Sequence, residues 1–149
     1  MVNTDLEVIN TNDGSNSIYS KQYDATYHSR HGALAESKHV FIDHGLKYLH
    51  DKGINDIKLL EVGFGSGLNA MLSAEYAKNN NLKINYFGIE KHPFPEGFYE
   101  SLDYHGKFDE SNKVLIDSII KAPYGLETNI IPQFTLNKIL TDFSEYTLD

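Results

Sequence analysis

Apolar and polar positions divide the 149-residue chain into short blocks of different period. Residues 5–10 alternate weakly through Leu6, Val8 and Ile9, and Asn12-Asp13-Gly14 then leads into Ser17-Ile18-Tyr19. An Asp-Gly step between two such runs predicts strand, tight turn, strand, because glycine supplies the positive φ of a hairpin turn. Residues 20–32 are polar and aromatic. From Ala33 the apolar positions Leu34, Val40, Phe41, Ile42, Leu46 and Leu49 recur near a helical period, with Gly53 as the stop. Ile57-Lys58-Leu59-Leu60-Glu61-Val62 is a short apolar run ending in glycines, the signature of a strand buried on both faces of a parallel sheet. A helix is expected from about Gly67 to Ala77, ended by Asn79-Asn80-Asn81, and a second strand over Lys83–Glu90. Strand, helix and strand in this order form one βαβ unit with a right-handed crossover.

Beyond Pro93 the pattern is weaker. Pro95 fits the first position of a helix running through Tyr104. Residues 111–121 read as a helix through Val114, Leu115, Ile119 and Ile120. Residues 126–131 and 134–140 read as two strands parted at Pro132, and a further helix is expected to begin near Asp142. No repeat, low-complexity tract or linker interrupts the chain, so one α/β domain is expected.

Composition narrows the function. The formal charge of −8 is wrong for a general nucleic-acid binder, although one local patch could still grip a polyanion. Residues 15–52 are the first candidate for such a patch: they hold Arg30, the only arginine, and five of the seven histidines. The alternative is an ordinary solvated face. No apolar run approaches membrane-spanning length, and Met1-Val2-Asn3-Thr4-Asp5 lacks the basic-then-apolar order of a leader, so a soluble cytoplasmic protein without membrane contact is expected. There is no cysteine, which removes disulfides, thiolate zinc sites and thiol catalysis. The histidines show no ligand spacing with carboxylates, so no metal is expected.

The most informative stretch is Glu61-Val62-Gly63-Phe64-Gly65-Ser66-Gly67-Leu68-Asn69, between the predicted strand and helix. Alternating glycines let the chain turn sharply and admit a ligand close to the backbone, and helix amides then point at it. Glu90, at the end of the second strand, is placed to accept hydrogen bonds from both hydroxyls of a ribose. The spacing is Gly-x-Gly-x-Gly with an acid before it, not the dinucleotide Gly-x-Gly-x-x-Gly. An acid there suits the amino group of a methionine and repels a pyrophosphate, which favours S-adenosylmethionine over a nicotinamide dinucleotide.

These residues resemble the methyltransferase domain of MnmC-type tRNA-modifying proteins. The likeness rests on five blocks in order: Asp13-Gly14-Ser15 with Ile18-Tyr19-Ser20; Tyr27-His28-Ser29 through Gly32-Ala33, Glu36-Ser37 and His39-Val40-Phe41; Leu60 to Asn69; Phe87-Gly88-Ile89-Glu90-Lys91-His92-Pro93; and, more weakly, Phe134-Thr135-Leu136 with Thr141-Asp142-Phe143. The resemblance implies a Rossmann-like class I methyltransferase fold. Residues 1–53 would form an N-terminal β-hairpin, a covering segment and a helix, and residues 54–149 the cofactor-binding half. The implied reaction is methyl transfer from S-adenosylmethionine to the amine of 5-aminomethyl-2-thiouridine at the tRNA wobble position.

Carried over by position, Gly63, Phe64, Gly65, Ser66, Gly67 and Asn69 belong to the cofactor loop, with Glu61 near the methionine amino group. Glu90 would hold the ribose, Lys91 would flank the adenosine, and Asp142 with Phe143 would sit at the adenine. Each has a bland counterpart: Glu61 or Asp142 as capping groups, Lys91 as a solvated lysine, Tyr27 as a packed aromatic, His28 as a structural histidine. The Asp-Gly-Phe-Ala-Pro-like stretch whose aspartate faces the methyl acceptor in relatives is not found before Asp149. The fold is therefore expected to be incomplete on its C-terminal side, no catalytic residue is assigned, and Tyr27 and His28 are the weak candidates. Self-association through an exposed sheet edge follows from that incompleteness. The alternatives are a non-catalytic cofactor-binding fragment and a small-molecule methyltransferase.

Overall fold

The computed structural model describes residues 5–95 and 97–147. The reading of residues 1–4 as lacking a leader, and the chain end at Leu148-Asp149, lie outside the described residues.

The hairpin forms as the Asp-Gly step requires. β1 (Leu6–Asn10) pairs antiparallel with β2 (Asn16–Ser20), Gly14 takes φ 79°, and an unforeseen short strand, β3 (Ala25–Thr26), extends the sheet. Its turn also holds the next element. The Asp13 carboxylate accepts from Thr11 Oγ1 (2.8 Å), Ser15 N (2.9 Å), Ser15 Oγ (2.5 Å) and, 22 positions on, Ala35 N (2.9 Å). Thr11 Oγ1 and Ser15 Oγ accept from Ala33 N and Leu34 N. Three helix-start amides with no intrahelical acceptor are thus satisfied from a distant turn. Partial burial raises the Asp13 pKa, but the bonds from Ser15, Ala35 and Thr11 outweigh it and hold the carboxyl well below its ordinary value.

The expected helix is one rod in three segments: α1 (Ala33–Ser37), a π-helical stretch (Lys38–Leu46) and α2 (Lys47–Asp51). Lys47 N donates to Ile42 O, five residues back, and His44 Nδ1 lies 2.9 Å from His39 O. Bonding to the fifth residue widens the turn, which is why the apolar positions fit a 3.6 period only loosely.

The main sheet has the order β4-β5-β7-β6: β4 (Asp56–Val62), β5 (Lys83–Glu90) and β7 (Phe134–Leu140) run parallel, and β6 (Glu127–Ile131) is antiparallel to β7. One face, carrying Ile57, Ile84, Tyr86, Phe134 and Leu136, is buried beneath α3 (Leu68–Asn80) and α4 (Lys113–Lys121). On the other face Leu60, Phe87 and Ile139 line an open cleft of about 720 Å³. Among the described residues no strand pairs with the outer side of β4.

The βαβ unit, α4 and the strand pair about Pro132 match the sequence reading, but among the described residues β4 is an edge strand buried on one face only: Ile57 and Glu61 are buried whereas Lys58 and Val62 are exposed. The helix expected from Pro95 to Tyr104 does not form. Two 3₁₀ turns replace it, Tyr99–Leu102 and Tyr104–Lys107, because Gly97 (φ 82°) and Asp103 (φ 49°) take left-handed conformations that interrupt a right-handed helix. The helix expected at Asp142 is a single 3₁₀ turn, Phe143–Glu145.

Candidate functional site

The parallel strands end together, and the glycine loop crosses their carboxyl ends. Ligands collect there in α/β sheets because helix amino ends and open loops converge. Gly63, Gly65 and Gly67 have φ of 86°, 53° and 74°, all in the left-handed region that side chains resist. Gly63 N and Phe64 N both donate to Ile89 O, and Gly65 N donates to Glu90 Oε2 at 2.8 Å. Glu90 also accepts from His92 N (2.8 Å), so this carboxylate fixes the loop to the end of β5. Tyr27 covers the loop: a Cβ on Gly65 would stand 3.3 Å from its ring.

A cleft of about 380 Å³ lies beside the loop. Its walls are the Glu61–Asn69 stretch, Tyr27 and His28, and Glu36, Ser37, Val40 and Phe41 from the helical rod. Glu61 is buried, accepting from Tyr86 Oη (2.6 Å) on one oxygen and Asn69 Nδ2 (2.7 Å) on the other. Burial pushes its pKa up to about 7; the Tyr86 and Asn69 bonds pull it down without cancelling that, and nearby Glu90 adds to the rise. With Nδ2 spent on Glu61, the buried Asn69 Oδ1 has no hydrogen-bond partner among the described residues, and neither does Ser37 Oγ, which lines the same cleft. Buried acceptors left unpaired call for a donor. A carboxylate pushed toward neutrality beside an unfilled amide oxygen is a receptor for a small cationic donor. That fits the amino end of S-adenosylmethionine, and an incoming cation would restore the charge of Glu61.

His28 lies mostly buried against the same cleft, its Nδ1 4.0 Å from Glu36 Oε2. Burial lowers its pKa more than Glu36 raises it, so the ring is held neutral. Lys91 and Asp142 stand apart from this cleft, in an ion pair of 2.5 Å. Asp142 also caps the last turn, accepting from Ser144 N (2.9 Å). The Lys91 bond, with those from Ser144, holds the Asp142 carboxyl well below its ordinary value. Phe143 beside it is half exposed. The sequence-predicted residues therefore divide into two groups. Tyr27, His28, Glu61, Gly63, Phe64, Gly65, Ser66 and Asn69 line one cleft, with Gly67 starting α3 and Glu90 tied to the loop. Lys91, Asp142 and Phe143 form a second group at the ends of β5 and β7, joined to the first through Thr141 N and Glu90 O (3.1 Å). Among the described residues no cluster of metal-ligating side chains occurs.

Sequence reasoning missed Tyr86, Ser37 and Lys138. Tyr86 had a signal: it shares strand parity with Ile84, so its hydroxyl enters the core and needs a partner. Ser37 had none.

No family model matches the chain. The tRNA 5-methylaminomethyl-2-thiouridine biosynthesis bifunctional protein MnmC of Cupriavidus metallidurans is 35% identical over 91 residues, covering 59% of this chain and 13% of that protein. Its counterparts in Cupriavidus necator and Ralstonia nicotianae are 36% and 32% identical over 80 and 79 residues, each covering 51% of this chain and 12% of the relative. The stretch matched is thus a small part of each relative's length. The crystal structure of MNMC2 from Aquifex aeolicus superposes with a TM-score of 0.65 at 24% identity, covering 94% of this chain and 43% of that one. Over these residues the chain is related in sequence to MnmC-type proteins, and its Rossmann-like fold is shared with one of them.

Proposed function

We propose that these residues are the cofactor half of an S-adenosylmethionine-dependent methyltransferase acting on the aminomethyl group of a tRNA wobble uridine. The reaction would take 5-aminomethyl-2-thiouridine to 5-methylaminomethyl-2-thiouridine. The observation that carries the reading is the unpaired Asn69 Oδ1 beside buried Glu61, at the start of α3 and within the glycine loop's cleft. A positively charged amine satisfies both groups at once, and a pyrophosphate satisfies neither. Glu61 and Asn69 would hold the amino end, Gly63 and Gly65 would leave room along the backbone, and Glu90 would receive the ribose. Lys91, Asp142 and Phe143 would border the base.

When bound, the cofactor supplies an electrophilic methyl group, so the chain's own work is alignment and exclusion of water. Tyr27 would cover the loop, and Val40 and Phe41 give the far wall apolar side chains. The acceptor amine must lose a proton to attack or to leave as product. Tyr27, His28, Glu36 and Glu61 are cleft residues able to exchange one, and the proton-accepting role is assigned to none of them.

Calorimetry with S-adenosylmethionine and with NAD tests the reading. Binding of S-adenosylmethionine alone is expected, and binding of NAD alone overturns it. Methyl incorporation into hypomodified tRNA tests the acceptor: transfer to the wobble uridine supports the reading, and transfer to small-molecule amines but not to tRNA overturns it.

A further inference from the structure

Glu61, Gly88 and Lys138 stand side by side on neighbouring strands, by the register that pairs Glu61 with Gly88 and Gly88 with Lys138. All three face α3 and α4. The space left by the missing side chain of Gly88 is filled by Phe64: a Cβ on Gly88 would lie 2.3 Å from Phe64 Cδ2. The Phe64 ring is buried over Gly88, whose neighbours in the register are Glu61 on β4 and Lys138 on β7. Lys138 is 2% exposed, and among the described residues no carboxylate forms an ion pair with it. Its Nζ donates to Ile120 O at 3.0 Å, in the last turn of α4, where carbonyls lack intrahelical partners and the helix dipole favours a cation. The same Nζ lies 5.1 Å from the centroid of Phe64 and 5.6 Å from that of Tyr124.

A buried lysine without a carboxylate is costly unless aromatic faces and carbonyls hold it. We infer that Lys138 is a positioning residue for the glycine loop, its ammonium drawing the Phe64 ring down onto Gly88 and thereby fixing the backbone from Gly63 to Gly67. Phe64 connects the loop to that row, while Ser66, the loop's other side chain, accepts from buried Tyr104 Oη at 2.8 Å. The Phe64 backbone carries the strand-end bond to Ile89 O and the turn bond to Gly67 N (2.9 Å). The importance of the loop for a ligand rests on the cofactor reading above, whereas the grip of Lys138 on the loop does not.

Desolvation lowers the Lys138 pKa to about 8, so the grip is expected to loosen in mildly alkaline solution. The other titratable groups near this row are Tyr124 on the loop after α4, Tyr99 beside Tyr124, and Glu61 across Gly88, whose own change near 7 is separated by repeating the titration in Glu61→Gln. Burial raises both tyrosines, Tyr99 to about 12, so they stay neutral through that range.

Amide hydrogen exchange followed by NMR on the ligand-free chain tests the inference, after correction for intrinsic rates. In the wild type, protection at Gly65 and Ser66 should fall by about tenfold as pH rises through 8, while β5 amides stay protected. Lys138→Met should show the weaker loop protection at every pH, with a melting temperature unchanged or raised because a buried charge has gone. Phe64→Leu, which keeps the lysine, should abolish the pH dependence. The inference is overturned if Lys138→Met keeps wild-type loop protection, if it loosens β5 as much as the loop, or if the pH dependence survives Phe64→Leu. Calorimetry should show S-adenosylmethionine binding about tenfold more weakly to Lys138→Met. A wild type that ignores S-adenosylmethionine yet shows the exchange pattern sinks the cofactor reading and leaves the role of Lys138 standing.

Discussion

Glu61 and Asp142 mark the two ends of the loop side of the sheet, and the fold treats their carboxyls in opposite ways. Glu61 is buried, bonded by neutral donors, pushed up to about 7 and set beside an unpaired acceptor. Asp142 lies near the surface, answered by a cation and two bonds from Ser144, and pushed down. The first stands beside an acceptor unpaired among the described residues, which on the proposed function a ligand would complete. The second is complete by itself. Two acids that look alike in the sequence therefore differ in what their loss should do.

The largest effect is expected at Glu61. Glu61→Gln should weaken S-adenosylmethionine on the order of ten- to hundredfold, the usual cost of losing a hydrogen bond to a charged partner. Asp142→Asn should weaken it less than about threefold, because exposed ion pairs contribute little. Titration calorimetry of both variants checks the contrast, and equal losses would break it. Stability adds a sign. The folded pKa of Glu61, about 7, lies above its ordinary 4.5, so the folded state holds the extra proton between those values. Its contribution is fully present below about pH 4.5 and is lost as pH rises through 7. Glu61→Gln should flatten that part of a urea-stability profile measured from pH 4 to 8.

Next comes Gly88→Ala, which places a methyl in the seat of Phe64 and should cost about 1–3 kcal/mol by urea denaturation. An unchanged midpoint would show that the ring can leave its seat freely. Asp13→Ala removes the remote cap of α1, the helix that brings Glu36 and Ser37 to the Glu61 end of the cleft. A loss of about 1 kcal/mol is expected, with weaker cofactor binding and no change at the Lys91–Asp142 pair. The two ends also differ in their strands. β7, which leads to Asp142, lies between β5 and β6, whereas β4, which carries Glu61, has an outer side unpaired among the described residues. We propose weak self-association through that side, to be seen as a rising mass with concentration in light scattering. A clean monomer at all concentrations argues against it.

How far the sequence discloses this depends on whether local pattern and tertiary contact agree. The βαβ unit is readable because Ile57–Val62 and Lys83–Glu90 are short apolar-rich runs that glycines punctuate. Residues 95–104 are not, because two left-handed residues override a plausible helix start. Glu61 and Asn69 were visible through the loop spacing, but their shared bond and the unpaired Oδ1 arise only when α3 packs back on β4. Lys138 had a readable signal. Phe134, Leu136 and Lys138 share one strand parity, which puts a lysine on the buried stripe. The service of Asp13 to a helix 22 residues away leaves no trace in local pattern beyond the turn itself.

That last bond sets the order in which the molecule can come apart. The turn at Thr11–Ser15 and the first amides of α1 share one set of hydrogen bonds, whereas the main sheet is held by α3 and α4. Opening the hairpin uncaps the helix start, so the two are expected to loosen together, ahead of the β4–β7 sheet. The cleft would then lose its outer wall first. A protease cutting within residues 20–32 would leave a folded core whose glycine loop stands open on one side.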